Sequence, residues 1–268
     1  MESKPIVSHI NIYPVKSLDG VSSQKAQIGK GASLLHDREF AIISSDGNFI
    51  IGKTNPLVHL LCTAVDFDNH IISFRHREEP KWFSFHLENE QTFIDDYLSI
   101  FFKQPVSLQQ NTEGGFLDIP GFSGITLLST ESLKAVASWY GDMDLDETRK
   151  RFRATVEIAA VPAFWEDMLF DKEGTGVAFK LGEITLLGNA PRERCVVPTR
   201  HPETGAVTFA FPKLFAKHRA ATLPQSSALK YYRHYYFLSV DCSIADTDIG
   251  KWIKVGDELS IIGKKKLQ

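Results

Sequence analysis

The chain of 268 residues has only three cysteines, Cys62, Cys195 and Cys242, and no CxxC pair. This odd number at wide spacing argues against a disulfide framework, a structural zinc site and a cysteine-rich iron–sulfur cluster. The nine histidines show neither an HxH nor an HExxH spacing. We therefore predict no histidine metal site.

Long apolar runs are also missing, because no stretch approaches the roughly 18 uninterrupted apolar residues of a membrane span. Residues 1–9 show no basic segment followed by an apolar run, so we expect no signal peptide and a cytoplasmic location. The net charge of −3 gives no drive toward polyanions. We accordingly expect neither nucleic acid nor a membrane as a partner.

Short segments with alternating apolar residues predict a mostly β protein of the α+β class with a few short helices. Residues 6–12, 40–44, 152–158 and 207–211 are predicted strands, and residues 93–102 are a predicted helix. On the strand 152–158, Arg153 would lie on the face opposite Phe152.

A glycine-rich break at residues 114–124 is the predicted domain boundary. It divides the chain into residues 1–120 and residues 121–268. A second helix is predicted to follow it, with Ser129 or Thr130 as the N-cap.

Cys195 has the most informative surroundings, because Arg192 and Arg194 lie within three residues of its thiol. Pro191 and Pro198 frame the segment, which favours a loop or a strand end over a helix interior. A cationic neighbourhood stabilises the thiolate, the form that attacks electrophiles or binds a soft metal. On its own, however, a lone cysteine is more often a small buried apolar residue.

Several separated segments together resemble one family. Residues 13–17 read YPVKS, residues 36–40 read HDREF, residues 151–155 read RFRAT, residues 194–205 read RCVVPTRHPETG, and residues 253–258 read IKVGDE. In this order they resemble the MOSC superfamily, and the resemblance covers nearly the whole chain. It is similar to the amidoxime-reducing members of that superfamily and their bacterial relatives.

The resemblance implies an N-terminal MOSC β-barrel domain, a following β-barrel MOSC domain and a groove between them for the molybdenum cofactor, a molybdenum–molybdopterin. The cysteine that matches the family's molybdenum ligand, and hence its catalytic position, is Cys195. The implied cofactor-binding residues are Lys16, Ser17, Arg38, Ser129, Arg153, Thr155 and Arg194. Arginine and lysine side chains suit the phosphate of such a cofactor.

The implied activity is the reduction of N-hydroxylated or N-oxygenated small molecules. Its electrons would come from a separate ferredoxin-like, flavin reductase or cytochrome b5-type protein. Two alternatives stay open: a sulfur-transfer protein that carries a persulfide on Cys195, and a non-catalytic carrier of the cofactor.

The sequence departs from the family pattern at three places. Ala154 and Thr155 replace Pro-Asn, Lys53 stands where relatives often carry arginine, and His201 replaces an aspartate. Thr155 offers a hydroxyl with fewer hydrogen bonds than the expected amide. We expect these differences to affect substrate preference more than cofactor binding.

Overall fold

The computed structural model describes residues 4–118 and 124–267. The first half of the chain forms a series of short strands around one helix. Their bounds are β1 Ile6–Ile12, β2 Val21–Ser23, β3 Lys25–Gln27, β4 Phe40–Ser44, β5 Leu61–Asp66, β6 Ile71–His76, β7 Phe83–His86, α1 Gln91–Phe102 and β8 Val106–Gln110.

The second half combines longer strands with three helices in its described residues. Their bounds are β9 Ile125–Ser129, α2 Thr130–Ala137, α3 Leu145–Phe152, β10 Val156–Ala159, β11 Thr175–Leu181, β12 Ile184–Glu193, α4 Phe211–Ala221, β13 Phe237–Ile244, β14 Trp252–Lys254 and β15 Leu259–Lys266. The prediction of a mostly β protein of the α+β class with few helices is confirmed.

An eight-stranded sheet forms the centre of the molecule, with the strand order β15-β11-β12-β13-β9-β10-β1-β2. Neighbouring strands are antiparallel except β9 and β10, which pair in parallel. Apolar residues from both halves, such as Ile10, Leu127 and Val156, are fully buried beside it. Antiparallel pairing places β1, from the N-terminus, directly beside β10 from the second half of the chain.

The strand order is linear in the described residues, so the closed barrels that the resemblance implied are not formed there. An isolated bridge between Ile6 and Glu258 nevertheless brings β1 close to the start of β15. β1 and β2 belong to the large sheet, whose other strands all come from the second half, and β3 pairs with β14. The N-terminal segment is therefore part of the sheets of the second half as well. The predicted boundary after residue 120 lies outside the described residues and stays a prediction.

The smaller sheets of the first half pack around α1. β4 pairs with β8, and β5, β6 and β7 form an antiparallel meander. α1 turns Ile94, Leu98 and Phe102 inward at four-residue spacing, and all three are buried in one cluster. This cluster supports the loops that carry Lys16 and Arg38 toward the second half.

Two local predictions were wrong. Residues 152–158 do not form one strand, because α3 continues to Phe152 and Arg153 adopts a left-handed conformation with φ of 53° before β10 begins. Residues 207–211 are not a strand either, since Phe211 opens α4 with proline at one of its first two positions. Proline is tolerated in the first turn of a helix, where its missing N–H has no acceptor to lose.

Candidate functional site

A cavity of about 620 Å³ lies between loops of the first and second halves of the chain. Its volume is in the range of sites that hold a cofactor or a small molecule. Six of the residues predicted from the sequence line it, namely Lys16, Ser17, Arg38, Arg153, Arg194 and Cys195. Segments far apart in the sequence therefore meet at one site.

Backbone pairing explains how these segments meet. The N–H of Arg38 donates to the carbonyl of Tyr13 at 2.7 Å, and the N–H of Lys16 donates to the carbonyl of Phe40 at 2.8 Å. The N–H of Asn11 donates to the carbonyl of Thr155 at 2.8 Å. The loops after β1, before β4 and before β10 are therefore held side by side.

Cys195 follows β12 at the entrance to a short 3-10 helix, Val197–Thr199. Its thiol is free and partly exposed. Its carbonyl oxygen accepts a hydrogen bond from the Tyr236 hydroxyl at 3.3 Å. The thiol thus lies in the cavity wall on a backbone that Tyr236 anchors to the sheet.

Arg194 lies behind the thiol. Its Nη2 donates to the carbonyl of Phe152 at 2.7 Å, and its guanidinium lies 5.3 Å from the centre of the Phe152 ring. Burial, together with the nearby charge of Arg192, lowers the pKa of Arg194 to about 10. The side chain is still cationic at neutral pH, so it keeps positive charge close to Cys195.

Tyr13 is enclosed by two arginines at the centre of the site. The guanidinium carbons of Arg38 and Arg153 lie 4.9 Å and 4.1 Å from the centre of its ring. Arg38 forms an ion pair with the buried Asp37, whose other oxygen accepts the N–H of Tyr13 at 2.9 Å. Aromatic faces attract cations, so Tyr13 fixes both guanidinium groups.

Three of the cavity residues have an unusual backbone. Ser17, Arg38 and Arg153 all have positive φ, at 70°, 52° and 53°. Residues other than glycine rarely adopt this conformation, and strained positions of this kind cluster at functional sites. No sequence pattern predicted this feature.

Lys16 belongs to a chain of alternating charges. It forms an ion pair with Asp118, and Arg192 reaches both Asp118 at 3.2 Å and Asp241 at 3.0 Å. Burial alone would raise the pKa of Asp118, but the charge of Lys16 and its hydrogen bond hold it at about 2. A carboxylate of the protein itself therefore occupies the space between two cations of the cavity.

Ser129 and Thr155, also predicted to bind the cofactor, are fully buried and do not line the cavity. The Ser129 hydroxyl caps α2 by accepting from the N–H groups of Glu131 and Ser132. The Thr155 hydroxyl donates to the carbonyl of Thr126 at 3.0 Å. Their contacts with a cofactor stay predictions, while the structure gives both residues partners within the protein.

Several buried nitrogen atoms around the cavity have no hydrogen-bond partner. These atoms are Nη2 of Arg153 and the Nε atoms of Arg194 and Arg200. Each is an N–H donor that lacks an acceptor, which is costly in a folded protein unless a ligand completes it. Sequence reasoning gave no role to Arg200, although it lies within the family segment 194–205.

His59, also missed from the sequence, contributes a different group. Its Nδ1 lies 3.4 Å from the carbonyl of Pro202 and must donate, because a carbonyl only accepts. Burial lowers the pKa of His59, and the charges of Arg200 and Arg153 act in the same direction. The neutral ring therefore leaves Nε2 as a buried acceptor, also without a partner.

The cavity wall offers no ready-made cluster of metal ligands in the described part of the chain. Within residues 4–118 and 124–267, no three His, Cys, Asp or Glu side chains are grouped to hold a metal ion. A metal at Cys195 would have to bring most of its ligands with it. The same described ranges contain no helix long and apolar enough to cross a membrane.

Comparison with known protein families and sequences finds relatives of this chain. Residues 4–110 match the family described as the MOSC N-terminal beta barrel domain. The resemblance to the MOSC superfamily is confirmed.

One curated relative is mitochondrial amidoxime-reducing component 1 of Xenopus laevis. It is 22% identical over 299 residues, which cover 97% of this chain and 83% of that protein. A crystal structure of the YuaD protein from Bacillus subtilis is 13% identical and covers 99% of this chain and 98% of that one. The TM-score of this match is 0.40.

Proposed function

We propose that the protein is a molybdenum-cofactor-dependent oxidoreductase that reduces N-hydroxylated or related N-oxygenated small molecules with electrons from a separate protein. The observation that carries the proposal is the cavity that joins a free cysteine, Cys195, to buried cationic groups with unused hydrogen-bond donors. The MOSC family match and the amidoxime-reducing relative support this chemistry.

The residues present fit such a cofactor. Molybdenum in a pterin cofactor carries its own sulfur and oxo ligands, which agrees with a cavity that offers one thiol and no cluster of further ligands among the described residues. The unpartnered N–H groups of Arg153 and Arg194 suit the polar pterin and its phosphate. The Sγ atom of Cys195 would bind the metal.

Side chains of the protein would orient the cations around the cofactor. Tyr13 holds Arg38 and Arg153 in place, and Arg194 keeps positive charge close to the sulfur of Cys195. The neutral His59 provides a buried acceptor in the wall of the same cavity. When bound, the cofactor would supply a metal that changes oxidation state and accepts oxygen from the substrate.

The first experiment measures molybdenum and pterin per chain in protein from a host that makes the cofactor. We expect close to one of each in the parent protein and a loss of molybdenum in Cys195→Ala. Cys62→Ala is the matched control, because Cys62 is buried in β5 and outside the cavity. Loss of metal in both variants, or in neither, would contradict the assignment of Cys195.

The second experiment supplies reduced methyl viologen and an N-hydroxylated compound to the metal-loaded parent protein. We expect substrate-dependent oxidation of the viologen that Cys195→Ala abolishes. A metal-loaded protein without this activity would refute the reductase and favour the cofactor carrier. A protein without metal that carries an extra sulfur atom on Cys195, detected by intact mass, would favour sulfur transfer.

A further inference from the structure

Residues 204–240 contain no aspartate or glutamate, although the whole chain has more acidic than basic residues. The basic residue Arg219 within this stretch is buried and paired with Asp167. The others are exposed, and none forms an ion pair within the described part of the chain. These exposed residues are Lys213, Lys217, Lys230 and Arg233.

The same stretch exposes large apolar side chains next to the cavity. Phe209 is 94% exposed and Val207 is 64% exposed, while Val196, the neighbour of Cys195, is 44% exposed. Scattered exposed apolar residues are normal, but a group beside a cavity mouth marks a candidate interaction site. We call Val196, Val207, Phe209, Lys213 and Lys217 the Phe209 surface.

The backbone holds Phe209 outward. The N–H of Thr208 donates to the carbonyl of Thr199 at 2.7 Å, and the Thr208 hydroxyl accepts from Arg151 at 3.1 Å. On the other side, Ala210 has a φ of 56° and Phe211 is fully buried. Phe209 therefore stands between two anchored residues and cannot fold inward without breaking these contacts.

The Phe209 surface adjoins the cavity wall directly. Val207 forms a backbone bridge with Arg200, and Arg200 and Val197 both line the cavity. Lys213 and Lys217 lie one turn apart on the exposed side of α4, which begins at Phe211. A protein seated here would touch the segment that carries Cys195.

The surface has limits on two sides. The connection between α2 and α3, which contacts α4 through the stacked rings of Tyr140 and Phe211, carries the exposed Asp142 and Asp144. The ion pair of His234 with Glu193 at 3.2 Å lies after α4. The basic and apolar residues of the Phe209 surface are therefore bordered by acidic residues. A patch bounded in this way would suit a small partner protein.

We propose that the Phe209 surface docks a small acidic electron-carrier protein that delivers electrons to the centre at Cys195. This inference rests on the proposed function. Lysines around an aromatic anchor match an acidic partner with an apolar contact at its centre. Electron-transfer complexes typically have small and weak interfaces, because they must form and separate in each cycle.

The electron balance fits such a carrier. Reduction of one N-hydroxylated substrate breaks the N–O bond, consumes two electrons and two protons, and releases water. A one-electron carrier therefore docks twice in each turnover and must leave in between. An exposed rim beside the cavity permits this exchange without opening the cavity.

The experiment measures binding by calorimetry and turnover on the metal-loaded protein. The probes are a plant-type ferredoxin and a cytochrome b5, both acidic one-electron carriers. The variants are Lys213→Glu with Lys217→Glu, and separately Phe209→Ser. Matched controls on distant exposed positions are Lys265→Glu with Lys266→Glu on β15, and Phe93→Ser on α1.

We expect the lysine reversals to weaken carrier binding about tenfold and to flatten its salt dependence. Phe209→Ser should weaken binding about fivefold. Carrier-driven turnover falls accordingly, while turnover with reduced methyl viologen is unchanged. Both control variants bind and turn over as the parent protein does.

The proposal is overturned if neither carrier binds the parent protein, or if the variants bind as tightly as the parent. It is also overturned if viologen-driven turnover falls together with carrier-driven turnover. Binding of phosphatidylserine vesicles or duplex DNA through Lys213 and Lys217, without carrier binding, would assign the surface to another class of partner. A parent protein without molybdenum or viologen-driven turnover would refute the proposed function, while calorimetry would still test the surface.

Discussion

Glu166 should make the stability of the folded protein depend on pH. It is 1% exposed, and its Oε2 atom accepts from the Ser132 hydroxyl at 2.8 Å and the Ser129 N–H at 3.2 Å. Its Oε1 atom is buried without a partner. Burial, reinforced by the neighbouring charge of Asp167, raises the pKa of Glu166 to about 7.

The sign and size of the effect follow from proton linkage. The unfolded chain loses the Glu166 proton near pH 4.5, whereas the folded protein keeps it to about pH 7. Between these values the folded state binds one more proton, so the free energy of unfolding falls as pH rises. At about 1.4 kcal/mol per pH unit, the loss approaches about 3 kcal/mol and is complete above pH 7.

Glu166→Gln should remove this dependence, because glutamine has the shape of the protonated acid and keeps an oxygen for Ser132 and Ser129. Urea unfolding at pH 5, 6, 7 and 8 measures the difference between variant and parent. We expect the variant to gain about 2.5 kcal/mol relative to the parent from pH 5 to pH 8, because part of the total is already lost at pH 5. Glu131→Gln, on the exposed side of α2, is the matched control. A difference that stays constant across this range would refute the reasoning.

Further substitutions test the site and its support. Asp118→Asn removes the internal counter-ion of the cavity, so calorimetry should show about two- to fivefold tighter binding of inorganic phosphate. Arg38→Ala leaves Asp37 buried without its partner and should lower the free energy of urea unfolding by about 3 to 5 kcal/mol. Ser129→Ala removes the α2 cap and should lower it by about 1 kcal/mol, measured in the same way.

The sequence predicted which distant segments meet better than it predicted the local structure around them. The family resemblance predicts one groove that holds Lys16, Arg38, Arg153 and Cys195, and these residues line one cavity. Long-range strand pairing, which motif order reflects only indirectly, brings these segments together. Asp118 was missed because only this pairing reveals its contacts.

The two wrong strands have a common cause. Residues 152–158 and 207–211 alternate apolar and polar or small side chains, which is the pattern of a half-buried strand. In the first segment the alternation begins in the last turn of α3 and continues through the left-handed Arg153. In the second, Phe209 is exposed and only Phe211 is buried, as the first residue of α4. Periodicity over so few residues cannot separate a strand from a helix end.

The backbone strain in the cavity connects the fold to the proposed function. Ser17, Arg38 and Arg153 each keep a left-handed conformation that costs about 1 to 2 kcal/mol for a residue other than glycine. Packing against Tyr13 and the ion pair with Asp37 offset part of that cost for the two arginines. Glycine would relieve the strain but would remove the guanidinium groups. The chain therefore keeps a less stable backbone that holds both guanidinium groups in fixed orientations, which is the preorganisation that the proposed cofactor site would need.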